Sequence, residues 1–297
     1  MSFNPELEKL YSPSMWSRRY GSAELISKFV ELSHKVVDEA RKTIPCQIDI
    51  PYGSSERMKY DIYGTNLSND APVVIFIHGG YYQEGSKETI GFGIPSLVAQ
   101  GIKVILLGYD LCPAVKLADI VGQIKVATTE ILTISKKNEA TNVWIVGHSA
   151  GAHLAASLLH DVEWRARMAE RNLLPLLKGI ALFGGIYHLR DILDLSTNAV
   201  LQLTEEEIKK YSFNDLDTTE LTPVEGINVI VGVGECDSPE FIQSSKHYAQ
   251  QLLKFVDRVH YIFFRNSTDH FDIVENLLNP DNLLTKLIIH NVKQEAL

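Results

Sequence analysis

The sequence predicts an α/β protein: a mainly parallel sheet with helices on both faces. Three observations predict it. Short apolar, β-branched runs recur along the chain at 46–50, 57–63, 72–78, 102–108, 142–147, 178–184, 227–233 and 258–264, giving eight strands. Several of these runs (PVVIFI, KVILLG, NVWIVG, INVIVGVG) are apolar throughout rather than alternating, as strands covered on both faces are. Longer amphipathic stretches separate them, and that alternation is the signature of β-α units. No internal repeat or low-complexity linker interrupts the pattern, so residues 1–297 read as one large domain.

Taken in order, the opening MSFNPELEKLYSPSMWSRRY has no apolar h-region, and Glu6 and Glu8 argue against a transit peptide. The runs 46–50 and 57–63, joined by Gly53-Ser54-Ser55, read as an antiparallel hairpin at one edge of the sheet. Helices are expected at 91–100, 116–137, 150–160, 239–255 and 271–278. Residues 185–226 form the long interruption between strands, with a helix start at Thr204-Glu205-Glu206-Glu207. In this fold class such a segment is either an ordinary surface excursion or a lid over the site.

Composition excludes several functions. With 28 Lys+Arg against 37 Asp+Glu, the net charge of −9 disfavours nucleic acid and anionic membrane surfaces as partners. The apolar runs fall short of the roughly 18 residues a membrane helix needs. Cys46, Cys112 and Cys236 are odd in number and lack metal-ligand spacing, so no disulfide framework or zinc site is expected. A reducing, cytoplasmic setting fits best. Beside Asp237, Cys236 reads as a small buried filler or, less simply, a redox-sensitive thiol. An acidic enzyme of this size fits either a monomer or a homodimer.

The motifs carry the chemistry. Gly147-His148-Ser149-Ala150-Gly151 matches G-x-S-x-G, which chance would produce about 0.1 times in a chain this long at average Gly and Ser usage. Its context is a buried-strand pattern before it and Ala152–Leu159, a strong helix former, after it. A serine on such a strand–turn–helix corner is held in a strained backbone conformation with its hydroxyl projecting above the sheet. The same corner is a helix N-terminus, whose free N–H groups favour developing negative charge. Directly after the run 72–77, His78-Gly79-Gly80-Tyr81 matches the H-G-G-x loop of esterases and lipases. Gly80, Tyr81 and Ala150 are the expected oxyanion donors, each worth roughly 2.7–4 kcal/mol to an acyl-transfer intermediate. Gly79 shapes the turn and His78 holds the loop.

A serine hydroxyl needs a base, and in this architecture the chain order is Ser, acid, His. Among the later histidines, His153 and His160 lie on the helix leaving the corner, and His188 precedes any candidate acid. His247 and His290 lie in helical stretches and His260 lies inside a strand. His270, in the loop after the last strand, is the expected base. The acid belongs on the loop after the previous strand, where Asp237 and Glu235 both qualify. Asp269, adjacent to His270 in sequence, is poorly placed to orient it.

Three further stretches carry a resemblance. Leu10-Tyr11-Ser12-Pro13-Ser14-Met15-Trp16, His78-Gly79-Gly80-Tyr81-Tyr82 and Asp237-Ser238-Pro239-Glu240-Phe241 resemble the YSPS-x-W, HGG-x-W and D-S-P-E-F elements of the kynurenine formamidases (arylformamidases) of the α/β-hydrolase superfamily. The resemblance spans essentially the whole chain, and Tyr82 departs from it, standing where tryptophan is usual. It favours Asp237 over Glu235. It implies an α/β-hydrolase fold and a serine hydrolase acting on a linear amide, N-formyl-L-kynurenine, with no metal or organic cofactor. It also implies an apolar slot for the aryl leaving group, with Trp16, Tyr81, Tyr82, Tyr187 and Phe241 as candidates for its wall. The alternatives are a general carboxylesterase with the same three residues, and an inactive hydrolase fold used as a binding module.

Overall fold

The computed structural model describes residues 4–216 and 221–293. Its centre is an eight-stranded sheet: β1 (Cys46–Pro51), β2 (Lys59–Tyr63), β3 (Val73–Ile77), β4 (Lys103–Leu107), β5 (Val143–His148), β6 (Leu177–Phe183), β7 (Val224–Cys236) and β8 (Val256–Asp269). The spatial order is β1-β2-β4-β3-β5-β6-β7-β8. Strands β1 and β2 form the antiparallel hairpin at the edge, β2 also runs antiparallel to β4, and every other pair is parallel. This is the α/β-hydrolase architecture.

The apolar runs follow from what covers them. Every residue of β3 and of β5 is buried. Successive side chains of a strand point to opposite faces, so one run feeds two cores. Ile75 and Ile145 pack with Ile120, Ile124, Leu154 and Leu158 of the helices Leu117–Lys137 and Ala150–His160. On the other face Val74, Phe76 and Val146 pack with Phe29 and Val37 of the helix Ser22–Thr43 and with Ile288 and Val292 of the helix Leu283–Lys293.

Several elements differ from expectation. The 22-residue helix Ser22–Thr43 has no counterpart in the sequence reading. Its buried positions (Leu25, Phe29, Ser33, Val37, Ala40) are scattered at helical spacing among charged residues, so it shows no continuous apolar run. The short, polar helix Val162–Glu170 likewise has no counterpart in the sequence reading, and the helical stretch expected around His290 is the helix Leu283–Lys293. The helix expected at 91–100 is a 3₁₀ segment, Lys87–Gly93, followed by Ile94–Val98. The one expected at 271–278 is two single turns, Asp272–Glu275 and Asn276–Leu278. Within 185–226, the helix Glu205–Tyr211 begins at Thr204, and Glu207 closes the capping box; residues 217–220 lie outside the described residues. Strands β7 and β8 run on past the expected ends, and this extension matters for the site.

No described helix is long and apolar enough to cross a membrane. Among the described residues no group of three or more His, Cys, Asp or Glu could hold a metal ion.

Four histidines in the interior weaken this fold toward acid. Burial is the main cause that pushes His78 down to about 4, His148 to about 3, His153 to about 4 and His160 to about 3. The unfolded chain titrates them near the ordinary value of about 6.5, so below that pH the unfolded state binds more protons and folding stability falls. Asp272 runs the other way: burial and the neighbouring Asp269 push it up to about 7, which offsets about one of the four protons. Stability is therefore expected to fall between pH 6.5 and 4 by on the order of 1 kcal/mol per pH unit for each net proton. Thermal midpoints measured from pH 7 to 4.5 check this; a flat profile would contradict it.

Candidate active site

The corner between β5 and the helix Ala150–His160 carries Ser149 at φ 55°, ψ −122°. That strained conformation is the one expected of a serine presented above a sheet. The flanking glycines exist because the chains touch there. A Cβ on Gly147 would lie 2.3 Å from the Gly151 carbonyl oxygen, and one on Gly151 would lie 2.2 Å from that of Ile77. The Ser149 N–H donates to the Phe183 carbonyl of β6 (2.8 Å), which locks the corner to the sheet. The next amide, Ala150, opens the helix, where N–H groups have no intrahelical partner.

The loop after β3 lies against this corner. A Cβ on Gly79 would sit 2.8 Å from that of Ser149. Gly80, Tyr81 and Tyr82 all take positive φ (109°, 48° and 60°), which costs roughly 1–3 kcal/mol at each non-glycine position unless its surroundings enforce it. Here they do. The Gly80 carbonyl accepts from Gln83 N (3.0 Å) and Glu84 N (2.8 Å). The Tyr81 hydroxyl donates to the Tyr11 carbonyl (2.5 Å), and the buried Tyr82 ring meets His153 edge-on at 5.6 Å. His78 holds the base of the loop through Nδ1 to the Gly79 carbonyl (2.7 Å) and by stacking on Tyr109 at 4.1 Å.

The extended β7–β8 pairing delivers the other two residues. Cys236 and Asp269 are register partners, so the residues that follow them, Asp237 and His270, emerge side by side. Asp237 Oδ2 accepts from His270 Nδ1 at 2.8 Å, and Oδ1 accepts from the Ser238 N–H at 2.7 Å. Both side chains are almost fully buried. With its proton on Nδ1, His270 keeps an acceptor at Nε2. Phe241 packs edge-on against the His270 ring at 5.2 Å, and His148 Nε2 donates to the His270 carbonyl at 2.7 Å. Glu235, the other candidate acid, points away: it pairs with Arg265 at 2.8 Å. Asp269 is engaged elsewhere, with Ser17 and Arg19.

Ser149, His270, Gly79, Gly80 and Tyr81 line one cavity of about 350 Å³. Two separate segments close it. Glu8 and Tyr11–Ser14 come from the N-terminal arm, and Leu195–Thr197 come from the 185–226 excursion. The two are tied together where the Ser196 N–H and hydroxyl donate to the Glu8 carboxylate (2.5 and 3.1 Å). The excursion therefore covers the site, as one of its two readings held, but only together with the arm. Ile26, Phe29, Val30 and Phe271 add apolar wall, Glu84 adds a second carboxylate, and among the described residues no Lys or Arg lines the cavity.

Most of the aromatic residues expected at the wall are not there. Trp16 lies outside the cavity: its indole N–H donates to the Lys9 carbonyl (2.9 Å), and the Lys9 ammonium sits over its ring. Tyr82 and Phe241 are fully buried behind the wall, where they brace the loop and the His270 ring instead of facing a ligand. Tyr187 stacks on Tyr248 at 3.9 Å. Of the five, Tyr81 alone lines the cavity. The wall the sequence reading missed is Tyr11–Ser14. Its motif was visible in the sequence, but its position depends on contacts across almost the whole chain.

Comparison with known proteins finds relatives over most of this chain. The BD-FAE family model matches residues 60–171. The kynurenine formamidase of Salmo salar is 34% identical over 285 residues, covering 96% of this chain and 95% of that one. That of Danio rerio is also 34% identical, covering 96% and 94%. Among solved structures, a thermophilic carboxylesterase cloned from a metagenomic library superposes with a TM-score of 0.65 at 17% identity, over 92% of this chain and 95% of that one.

Proposed function

Because this chain belongs to the kynurenine formamidase family, we propose that it hydrolyses N-formyl-L-kynurenine to L-kynurenine and formate through Ser149. The observation that carries the reading is one juxtaposition. A serine on a strained strand–helix corner shares a cavity with a histidine whose Nδ1 is held by a buried carboxylate.

The chemistry follows from those atoms. Ser149 Oγ attacks the formyl carbon while His270 Nε2 takes its proton, and Asp237 stabilises the resulting imidazolium. The carbonyl oxygen becomes an oxyanion, for which the N–H groups of Gly80, Tyr81 and Ala150 are the proposed donors. His270 then gives the proton to the aryl amine nitrogen as the C–N bond breaks, leaving formyl-Ser149 and L-kynurenine. A water, deprotonated by the same histidine, attacks the formyl ester and releases formate. No step needs a metal or cofactor.

The cavity supports a small aromatic substrate. Its volume lies at the lower end of the usual ligand-site range, and its walls combine Tyr11, Phe29 and Phe271 with hydroxyls and carboxylates. Gly79 lies against Ser149, where an added Cβ would come 2.8 Å from the serine Cβ, and formyl, the smallest acyl group, suits a cramped acyl side.

The test is the ratio of kcat/KM for N-formyl-L-kynurenine to that for simple aryl esters. A ratio well above one is expected. A ratio well below one replaces this reading with that of a general carboxylesterase.

A further inference from the structure

We propose that Arg19, on the N-terminal arm, is a positioning residue for His270. The argument starts from Asp269, the residue before it. Its side chain is fully buried, and its carboxylate accepts five hydrogen bonds. Two come from the backbone of its own turn, Phe271 N (2.8 Å) and Asp272 N (2.9 Å). Three come from the arm: Ser17 Oγ (2.5 Å), Arg19 Nε (2.8 Å) and Arg19 Nη2 (3.0 Å). Arg19 Nη1 reaches on to Glu275 Oε2 (2.5 Å). One planar guanidinium therefore grips both ends of the turn 269–275, with a two-point fork that a lysine cannot reproduce.

Charge explains why the grip matters. A buried carboxylate without a cation is costly and relaxes toward water or takes up a proton. Either change loosens the two backbone N–H bonds that shape the turn around His270. The rest of that residue is held by rigid parts of the fold: Nδ1 by Asp237, and the carbonyl by His148 beside the serine. Arg19 is the contribution from the segment that also walls the cavity through Tyr11–Ser14. Covering the substrate and aligning the base thus become one event, and a displaced arm misplaces the base. A displacement of about 1 Å at a reacting group can cost on the order of 100-fold.

The proposal rests on His270 being the base, and the experiment separates the two. Arg19→Ala and Arg19→Lys are assayed on N-formyl-L-kynurenine and on phenyl formate, an ester too small to depend on the arm for binding. For Arg19→Ala, kcat is expected to fall about 10- to 100-fold on both substrates, with the KM for phenyl formate within about twofold of wild type. Low millimolar guanidinium should restore part of that kcat, and should leave wild type and Ser149→Ala unchanged. Arg19→Lys, which keeps the charge, is the variant to read where the alanine variant fails to fold, and should retain an intermediate kcat. A wild-type kcat on phenyl formate in Arg19→Ala overturns the proposal, because the arm then serves binding alone. So does a loss that neither guanidinium nor lysine relieves, because the residue is then merely structural. A wild-type protein that hydrolyses neither substrate overturns the reading of Ser149 and His270 instead.

Discussion

Ser149→Ala is expected to lose about 10⁶ in kcat on N-formyl-L-kynurenine, and His270→Ala to lose nearly as much. The two losses coincide because the residues act as a unit. A hydroxyl without a base is a weak nucleophile, and a base without the hydroxyl has no proton to take. The double variant should therefore be little worse than either single one, whereas independent contributions would multiply. What remains is expected from the proposed oxyanion donors at Gly80, Tyr81 and Ala150, backbone groups that survive both substitutions. Single-turnover assays measure the loss, and a fluorophosphonate probe tests the serine directly. Wild type should label and Ser149→Ala should not. No labelling of the wild type would favour an inactive binding module. Near-normal turnover in His270→Ala would mean that another group serves as the base.

Asp237→Asn is expected to lose about 10⁴ in kcat with little change in the fold. The hydrogen-bond pattern explains the size of the effect. In the native site Asp237 accepts twice, from His270 Nδ1 and from the Ser238 N–H. An asparagine can keep its oxygen on Ser238 but then presents an N–H to His270 Nδ1. That ring nitrogen must become the acceptor, its proton moves to Nε2, and the nitrogen facing the serine can no longer take a proton. Little packing changes, so the thermal midpoint should stay close to that of wild type while kcat collapses. A loss under about tenfold would show that Asp237 does not control the tautomer. Glu235→Gln, at the carboxylate the structure pairs with Arg265, serves as the contrast and should change turnover little.

The sequence showed the features whose signal is local. The doubly covered strands are legible because each residue of β3 and β5 meets a core on one face or the other. The serine corner is legible because two close backbone approaches demand glycine on both sides of it. The helix Ser22–Thr43 is not, because a stripe of five buried positions with a serine in the middle looks polar when read along the chain. The choice between Asp237 and Glu235 is of another kind. Two residues apart on one strand end, both carboxylates suit the chemistry. The β7–β8 register, with Cys236 opposite Asp269, is what turns one toward His270 and leaves the other facing Arg265.

The sequence alone thus determined the fold class and the order of strands along the chain, and offered the serine, the glycine loop and a short list for the base and acid as candidates. The strands and motifs depend on residues close together in the chain, and the short list for the base and acid on their order along it. Only the tertiary structure decided what encloses them. The cavity wall joins residues 8–14 to 195–197, Tyr81 to the carbonyl of Tyr11, and Arg19 to Asp269, 250 positions away. Trp16, Tyr82 and Phe241 have the composition of a binding wall, yet they brace it from outside or behind. Which face a side chain shows to a cavity is set by contacts between distant segments, and the periodicity of a single segment does not encode those contacts.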